Sequence, residues 1–233
     1  MLQKFGSQNR HEFIFGNFEM ERRDLDKISL RQINSALQSQ SDHITERNWQ
    51  IVNPRGAHAV AVGLNSEISV DIQGSVGYYC GGMNQKARIF IKGSAGPGVS
   101  ENMMSGEVIV EGDASQYAGA TAHGGILLIK GNASSRCGIS MKGIEIVVLG
   151  NVGHMSAFMA QSGNLLVLGD AGENLGDSIY EANIFVRGKV ASLGADCIEK
   201  EIRVEHIEII ERLLEKTGSA ASSKDFSRYG SAR

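Results

Sequence analysis

Val70-Asp-Ile-Gln-Gly74, Ile89-Phe-Ile-Lys-Gly93, Val108-Ile-Val-Glu-Gly112, Leu127-Leu-Ile-Lys-Gly131, Ile146-Val-Val-Leu-Gly150, Leu165-Leu-Val-Leu-Gly169 and Ile184-Phe-Val-Arg-Gly188 are seven versions of one pentapeptide, each nineteen residues after the last. A fixed period of this length is the signature of a solenoid. The first and third positions are branched aliphatics in every version, and the fourth is polar in five (Gln73, Lys92, Glu111, Lys130, Arg187). That alternation predicts a strand with one buried face. After the glycine comes a polar residue (Ser75, Ser94, Asp113, Asn132, Asn151, Asp170, Lys189), then Ala or Val. This reads as a turn followed by a small inward side chain. No unit can bury its own aliphatic face, so each must make one circuit and stack on the next.

The rest of the circuit keeps the same register. Seven positions after the glycine stand Gly81, Ser100, Gly119, Gly138, Ala157, Gly176 and Ala195, all small, which marks a second turn. Ten positions after it, Met103, Ala122, Met141, Ala160 and Ile179 form a column expected to face inward. The expected fold is all-β, a parallel β-helix of nineteen-residue coils over residues 53–198 with short flanking helices.

Residues 1–52 read as an N-terminal arm and helix. The apolar cluster Phe13, Ile14, Phe15 and Phe18 suits a short strand or an anchoring arm. Ser29 and Gln32 make a capping box, and Leu30, Ile33 and Leu37 recur at helical spacing, predicting a helix over Leu30–Gln38 that docks on the solenoid. Ser39 to Asn48 is polar and expected as a loop, and Trp49, Ile51 and Val52 lead into the first paired strand. Asn53-Pro54-Arg55-Gly56 is a turn by its chemistry, with first strands expected at Ala59 to Gly63 and Glu67 to Gly74. Beyond the repeat, residues 199–218 predict an amphipathic helix in their later part, stopped by Gly218. It is expected to cover the terminal coil, whose edge would otherwise be open. Residues 219–233 read as an extended tail, ordered only by a partner.

Composition narrows the function classes. The net charge of −3 leaves no basic footprint for nucleic acid. Twenty-nine glycines against two prolines suit a turn-rich solenoid. Neither a signal-peptide pattern nor a membrane-length apolar run is present, so a cytoplasmic protein is the expectation.

Several residues invite a chemical reading. Gly93 to Gly98 and Gly150 to Gly153 look like phosphate loops, but such loops open a helix within a βαβ unit, and no helical pattern follows here. Cys80 and Cys137 are three periods apart, hence roughly 14 Å apart in a stack of coils, and with Cys197 they lack metal-site spacing. His58, His123 and His154 occupy different columns with no matching carboxylate or second histidine, so surface or interface roles are expected. Asp113 and Asp170 share a column at the same wide separation, too far for glycosidase-type chemistry. Asp177 and Asp196 are nineteen residues apart and are expected in adjacent coils near 5 Å, the one pair able to act as a unit in a lyase or binding solenoid. A hexapeptide left-handed β-helix is excluded, because its sides are six residues long and no six-residue apolar rhythm exists here.

The spacing G-x-x-G-x-x-x-G, complete at Gly74/Gly77/Gly81 and at Gly169/Gly172/Gly176, resembles the GXGXG domain that closes the large subunit of glutamate synthase. The resemblance covers about six tenths of the chain, Ala59 to Ala195. Val76 to Met83, Gly150 to Ala160, Asn53 to His58 and Arg228 to Arg233 are similar to the stand-alone GXGXG subunit of glutamate-synthase-like complexes, including the B-type subunit of N-methylglutamate synthase. The gamma-type subunit of formylmethanofuran dehydrogenase is a more distant likeness. The resemblance implies a right-handed parallel β-helix without catalytic, cofactor-binding or metal-binding residues of its own. It implies an amidotransferase-like subunit and an FMN and iron–sulfur synthase subunit as partners in a hetero-oligomer, with this chain helping to wall the internal path of ammonia or methylamine. The residues agree as far as they reach: the cysteines lack cluster spacing, Met1-Leu2 offers no amidotransferase cysteine, and no barrel pattern exists to hold FMN.

Overall fold

A computed structural model describes residues 20–40 and 48–233; the cluster Phe13, Ile14, Phe15, Phe18 and most of the loop expected after Ser39 lie outside the described residues. The described elements in chain order are β1 (Glu21–Asp24), α1 (Leu30–Gln38), β2 (Asn48–Val52), β3 (Ser69–Gln73), β4 (Arg88–Ile91), β5 (Glu107–Val110), β6 (Ile126–Ile129), β7 (Lys142–Val148), β8 (Ser162–Val167), β9 (Asn183–Val186), β10 (Cys197–Lys200), α2 (Val204–Glu215) and β11 (Ser227–Ser231). The seven pentapeptides supply β3 to β9, which pair in parallel, each pentapeptide residue opposite the one nineteen further on: Val70 faces Ile89, Ile89 faces Val108, and so on to Ile184, with one register shift at the start of β7, where Lys142 faces Ser162.

Both aliphatic columns point inward and are buried along their whole length, from Val70 and Ile72 to Ile184 and Val186. Met103, Ala122, Met141, Ala160 and Ile179 close the same core from the opposite side. Each buried aliphatic side chain contributes about 1.5 to 3 kcal/mol, and stacking identical columns gives every one a neighbour above and below. A second parallel ladder joins Val76, Ala95, Ala114, Ala133, Val152, Ala171 and Val190.

The third side of each coil is not a strand. Left-handed residues recur five, seven and nine positions after the glycine, as at Tyr79 (φ 59°), Gly81 (66°) and Met83 (54°), and again at Tyr117, Gly119 and Thr121. A non-glycine residue in this region costs about 1 to 2 kcal/mol. The offset is visible in the ladder that the bent backbone still makes between coils, such as Gly119 N to Val99 O and Gly138 N to Ala118 O, both 2.8 Å.

At the N-terminal end, α1 forms over the expected span, with the Ser29–Gln32 capping box in place. It docks as expected: Ile33 and Leu37 are buried, Asn34 donates to Ala59 O (2.7 Å) and accepts from Ala61 N (3.0 Å), and Gln38 donates to Val62 O (2.9 Å). The strand expected at Ala59 to Gly63 is absent. Ala59, Ala61 and Gly63 are left-handed, so this stretch is the bent third side of a coil. The strands that open the sheet lie earlier, at β1 and β2, each paired in parallel with the next.

The C-terminal end departs further from expectation. The tail is ordered within the chain itself: β11 inserts antiparallel between β9 and β10, giving the sheet order β1-β2-β3-β4-β5-β6-β7-β8-β9-β11-β10. The hairpin-like pair β10 and β11, rather than α2, covers the terminal edge. Helix α2 instead lies along the side of the sheet, where Ile210, Leu213 and Leu214 pack on Ile109, Ile126, Leu128, Val147, Leu166 and Phe185.

Candidate partner interface

The glycine column marks a close approach between coils. A Cβ on Gly131 would lie 2.7 Å from Gly112 O, against the backbone of the preceding coil. Removing the side chain lets the backbones meet, and the amides of Gly112, Gly131, Gly150, Gly169 and Gly188 each donate to the carbonyl of the previous glycine at 3.0 Å. The polar column beside it forms a second ladder. Each side chain accepts from the amide of its counterpart one coil later: Ser75 from Ser94, Ser94 from Asp113, Asp113 from Asn132, Asn132 from Asn151, Asn151 from Asp170 and Asp170 from Lys189, at 2.7 to 3.2 Å. Asp113 and Asp170 are therefore structural acceptors.

Every other flagged residue can be placed. Cys80 and Cys137 sit in the core, and burial pushes each thiol up to about 12; Cys197 is buried in β10 and pushed up to about 11. Among the described residues, no group of three or more His, Cys, Asp or Glu could hold a metal. No helix among them is long and apolar enough to cross a membrane. His123 and His154 are exposed. His58 is exposed yet engaged: its Nδ1 accepts from Tyr78 N at 3.0 Å, and its ring stacks on Tyr78 with centroids 4.4 Å apart.

The expected Asp177–Asp196 column does not form. Leu175 bridges Leu193 and Ser178 N donates to Ala195 O, so the last circuit is one residue short. Asp177 stands against Ala195, accepting from its amide (3.3 Å) and from the Ser178 hydroxyl (2.8 Å). Asp196 lies a step beyond, in an open cleft of about 490 Å³ with Ser178, Tyr180, Glu181, Ser231 and Arg233.

The outer face of the strands carries a signal that the one-sided reading missed. The second pentapeptide position is Phe90, Ile109, Leu128, Val147, Leu166 and Phe185 in successive units after Asp71. An apolar column pointing outward requires a cover, and α2 supplies it. Arg212 fixes the helix by a bidentate pair to Glu145 of β7 (2.7 and 2.5 Å). His206 is buried beside Phe185, with ring centroids 6.2 Å apart, and its Nδ1 accepts from Arg203 N at the helix start. Burial, with the nearby Arg228 charge, holds its pKa below the ordinary histidine value.

With that face covered and the polar corner occupied by its ladder, six of the nine large apolar side chains exposed among the described residues lie on the bent side, the others being Met20, Ile198 and Val204 near the two ends. Tyr78 and Tyr79 stand four and five positions after Gly74; Met83 and Met159 stand nine, and Met104 and Tyr180 eleven, after their glycines. These two corners run along the solenoid axis and offer an apolar contact surface. Tyrosine and methionine are enriched at the cores of protein interfaces.

Comparison with known proteins agrees with this architecture. Residues 30–224 match the GXGXG motif family, a span that takes in both α1 and α2 as well as the coils. The chain is 61% identical over 211 residues to Protein GlxC of Rhizobium meliloti (strain 1021), covering 90% of this chain and 92% of that one. The chain belongs to the GXGXG motif family, whose repeat is that of the glutamate-synthase-like proteins.

Proposed function

We propose that this chain is a non-catalytic structural subunit of a glutamate-synthase-like complex, holding an amidotransferase-like subunit against an FMN and iron–sulfur synthase subunit. The carrying observation is the use of the repeat's polar column: its acids and amides accept backbone amides of the next coil. Chemistry then belongs to partner chains, FMN and the cluster included. What this chain contributes is a rigid body of fixed length with two corners of exposed Tyr and Met. Within this reading the specific complex is an N-methylglutamate synthase in the cytoplasm, with the solenoid helping to wall the path of ammonia or methylamine. Its free buried thiols suit a reducing compartment.

The test is purification from the native host through a tag on this chain, identifying the accompanying polypeptides and their flavin and iron content. An amidotransferase-like and a flavin-containing chain are expected. A protein that binds flavin or turns over a substrate by itself would sink the scaffold reading.

A further inference from the structure

The corner at Tyr78 and Tyr79 is more organised than a chance exposure of aromatics. The His58 ring occupies the space that a side chain at Gly77 would need, so the glycine admits the imidazole to the corner. There its Nδ1 holds the Tyr78 amide and its face stacks on the Tyr78 ring, with an angle of 13° between planes. Tyr79 stands edge-on to Tyr78, centroids 6.4 Å apart, and both tyrosines are about half exposed (49% and 51%).

Glu101, from the next coil, closes the other side. A Cβ on Gly98 would lie 2.8 Å from Tyr79 Cε1 and 2.9 Å from Glu101 Oε2, so ring and carboxylate face the same notch over a residue without a side chain. Among the described residues no cation pairs with Glu101. Its carboxyl is raised by partial burial alone, with no charge to lower it. A partly desolvated carboxylate beside an aromatic ring, with no cation pairing it among the described residues, is complementary to a cation from elsewhere.

We propose that the Tyr79–Glu101 notch receives an arginine or lysine side chain of a partner subunit and anchors the interface at this corner. The inference rests on the reading of the chain as a subunit of a complex. The cation would lie against the Tyr79 ring while pairing with Glu101 Oε2, and the His58–Tyr78 stack would hold the ring in place before binding. Such pre-organised aromatic anchors are the usual hot spots of interfaces.

The experiment compares retention of accompanying subunits, after dilution, in complexes purified through tagged wild-type chain and three variants, each checked for an unchanged melt. Glu101→Gln removes the charge. Tyr79→Asn removes the ring but keeps a residue suited to a left-handed backbone. Tyr79→Phe keeps the ring. Glu101→Gln and Tyr79→Asn are expected to speed subunit loss about tenfold, and Tyr79→Phe to leave it unchanged. Unchanged retention in the first two overturns the notch while leaving the subunit reading intact. If wild-type chain brings no partner, the subunit reading itself fails, and N-acetyl-arginine methylamide titrated into the 233-residue chain decides the notch. A saturable shift of the Tyr79 ring signals, absent in Glu101→Gln, supports it; an unresponsive ring overturns it.

Discussion

The amide of Asn132 donates to Oδ1 of Asp113 at 2.7 Å across the gap between two coils, and the same bond recurs up and down the polar column. Each link is exposed, and its net worth is at most that of an ordinary hydrogen bond, about 0.5 to 1.5 kcal/mol. Asp113→Ala is expected to lower stability by that amount in urea melts, while Asp113→Asn, which keeps an acceptor oxygen, stays near wild type. Equal losses in both variants would show that charge, and not the ladder, is at work.

Ile129 is fully buried midway along the stack, between Val110 and Val148 in its column. Ile129→Ala is expected to cost about 2 to 5 kcal/mol through the cavity left in a core that cannot collapse along its axis. A variant with an unchanged melting curve would contradict the buried column.

Helix α2 depends on the outward apolar column, and Leu213 sits within that contact without exposure. Leu213→Ala is expected to lose about 2 to 5 kcal/mol, with amide exchange rising first in α2 and at Leu166 and Phe185. Arg212→Ala, which breaks a half-exposed pair with Glu145, should cost only about 0.2 to 1 kcal/mol. A larger loss for Arg212 than for Leu213 would overturn the view that burial docks the helix.

Burial, and then the Arg228 charge, disfavour the charged form of His206 in the folded chain. With a folded pKa below the ordinary value of 6.5, its contribution is fully present above 6.5 and is lost as pH falls through the folded value, since the unfolded chain binds the proton first. Melting temperature measured across this window should fall on acidification, and the slope should flatten in His206→Gln. An identical slope in the variant would assign the acid sensitivity elsewhere.

Asp71 is the acid at the head of the outward column, buried, with Oδ1 lacking a hydrogen-bond partner. Burial raises its pKa, with Lys92 opposing. A raised carboxyl destabilises the fold as pH rises from the ordinary value of 3.8 through the folded one. Asp71→Asn is therefore expected to raise the melting temperature at neutral pH and to lose that advantage in acid. A variant less stable at both would show that the carboxyl is better satisfied in the folded chain than its unpaired Oδ1 indicates.

The nineteen-residue phase told which residues share a column and which columns face inward, and the Ser29–Gln32 capping box with helical spacing told where α1 begins and ends, because these follow from spacing, size and capping chemistry within a few residues of one another. Ile89 and Val108 are neighbours as soon as the period is known. The same phase holds the outward column Phe90 to Phe185, which a reading with one buried face passes over, because its demand for a cover becomes plain only once strand direction is fixed. The tertiary structure alone decided what meets the columns from far away in the chain: α2 on the outer face, Tyr229 between β9 and β10, and Glu101 beside Tyr79. It alone showed that the last circuit is one residue short, which moved Asp196 away from Asp177. Periodicity determines contacts that repeat, since each coil constrains the next. Contacts made once, by an end of the chain or a single corner, depend on shape and burial summed over the whole fold, and no local pattern records them.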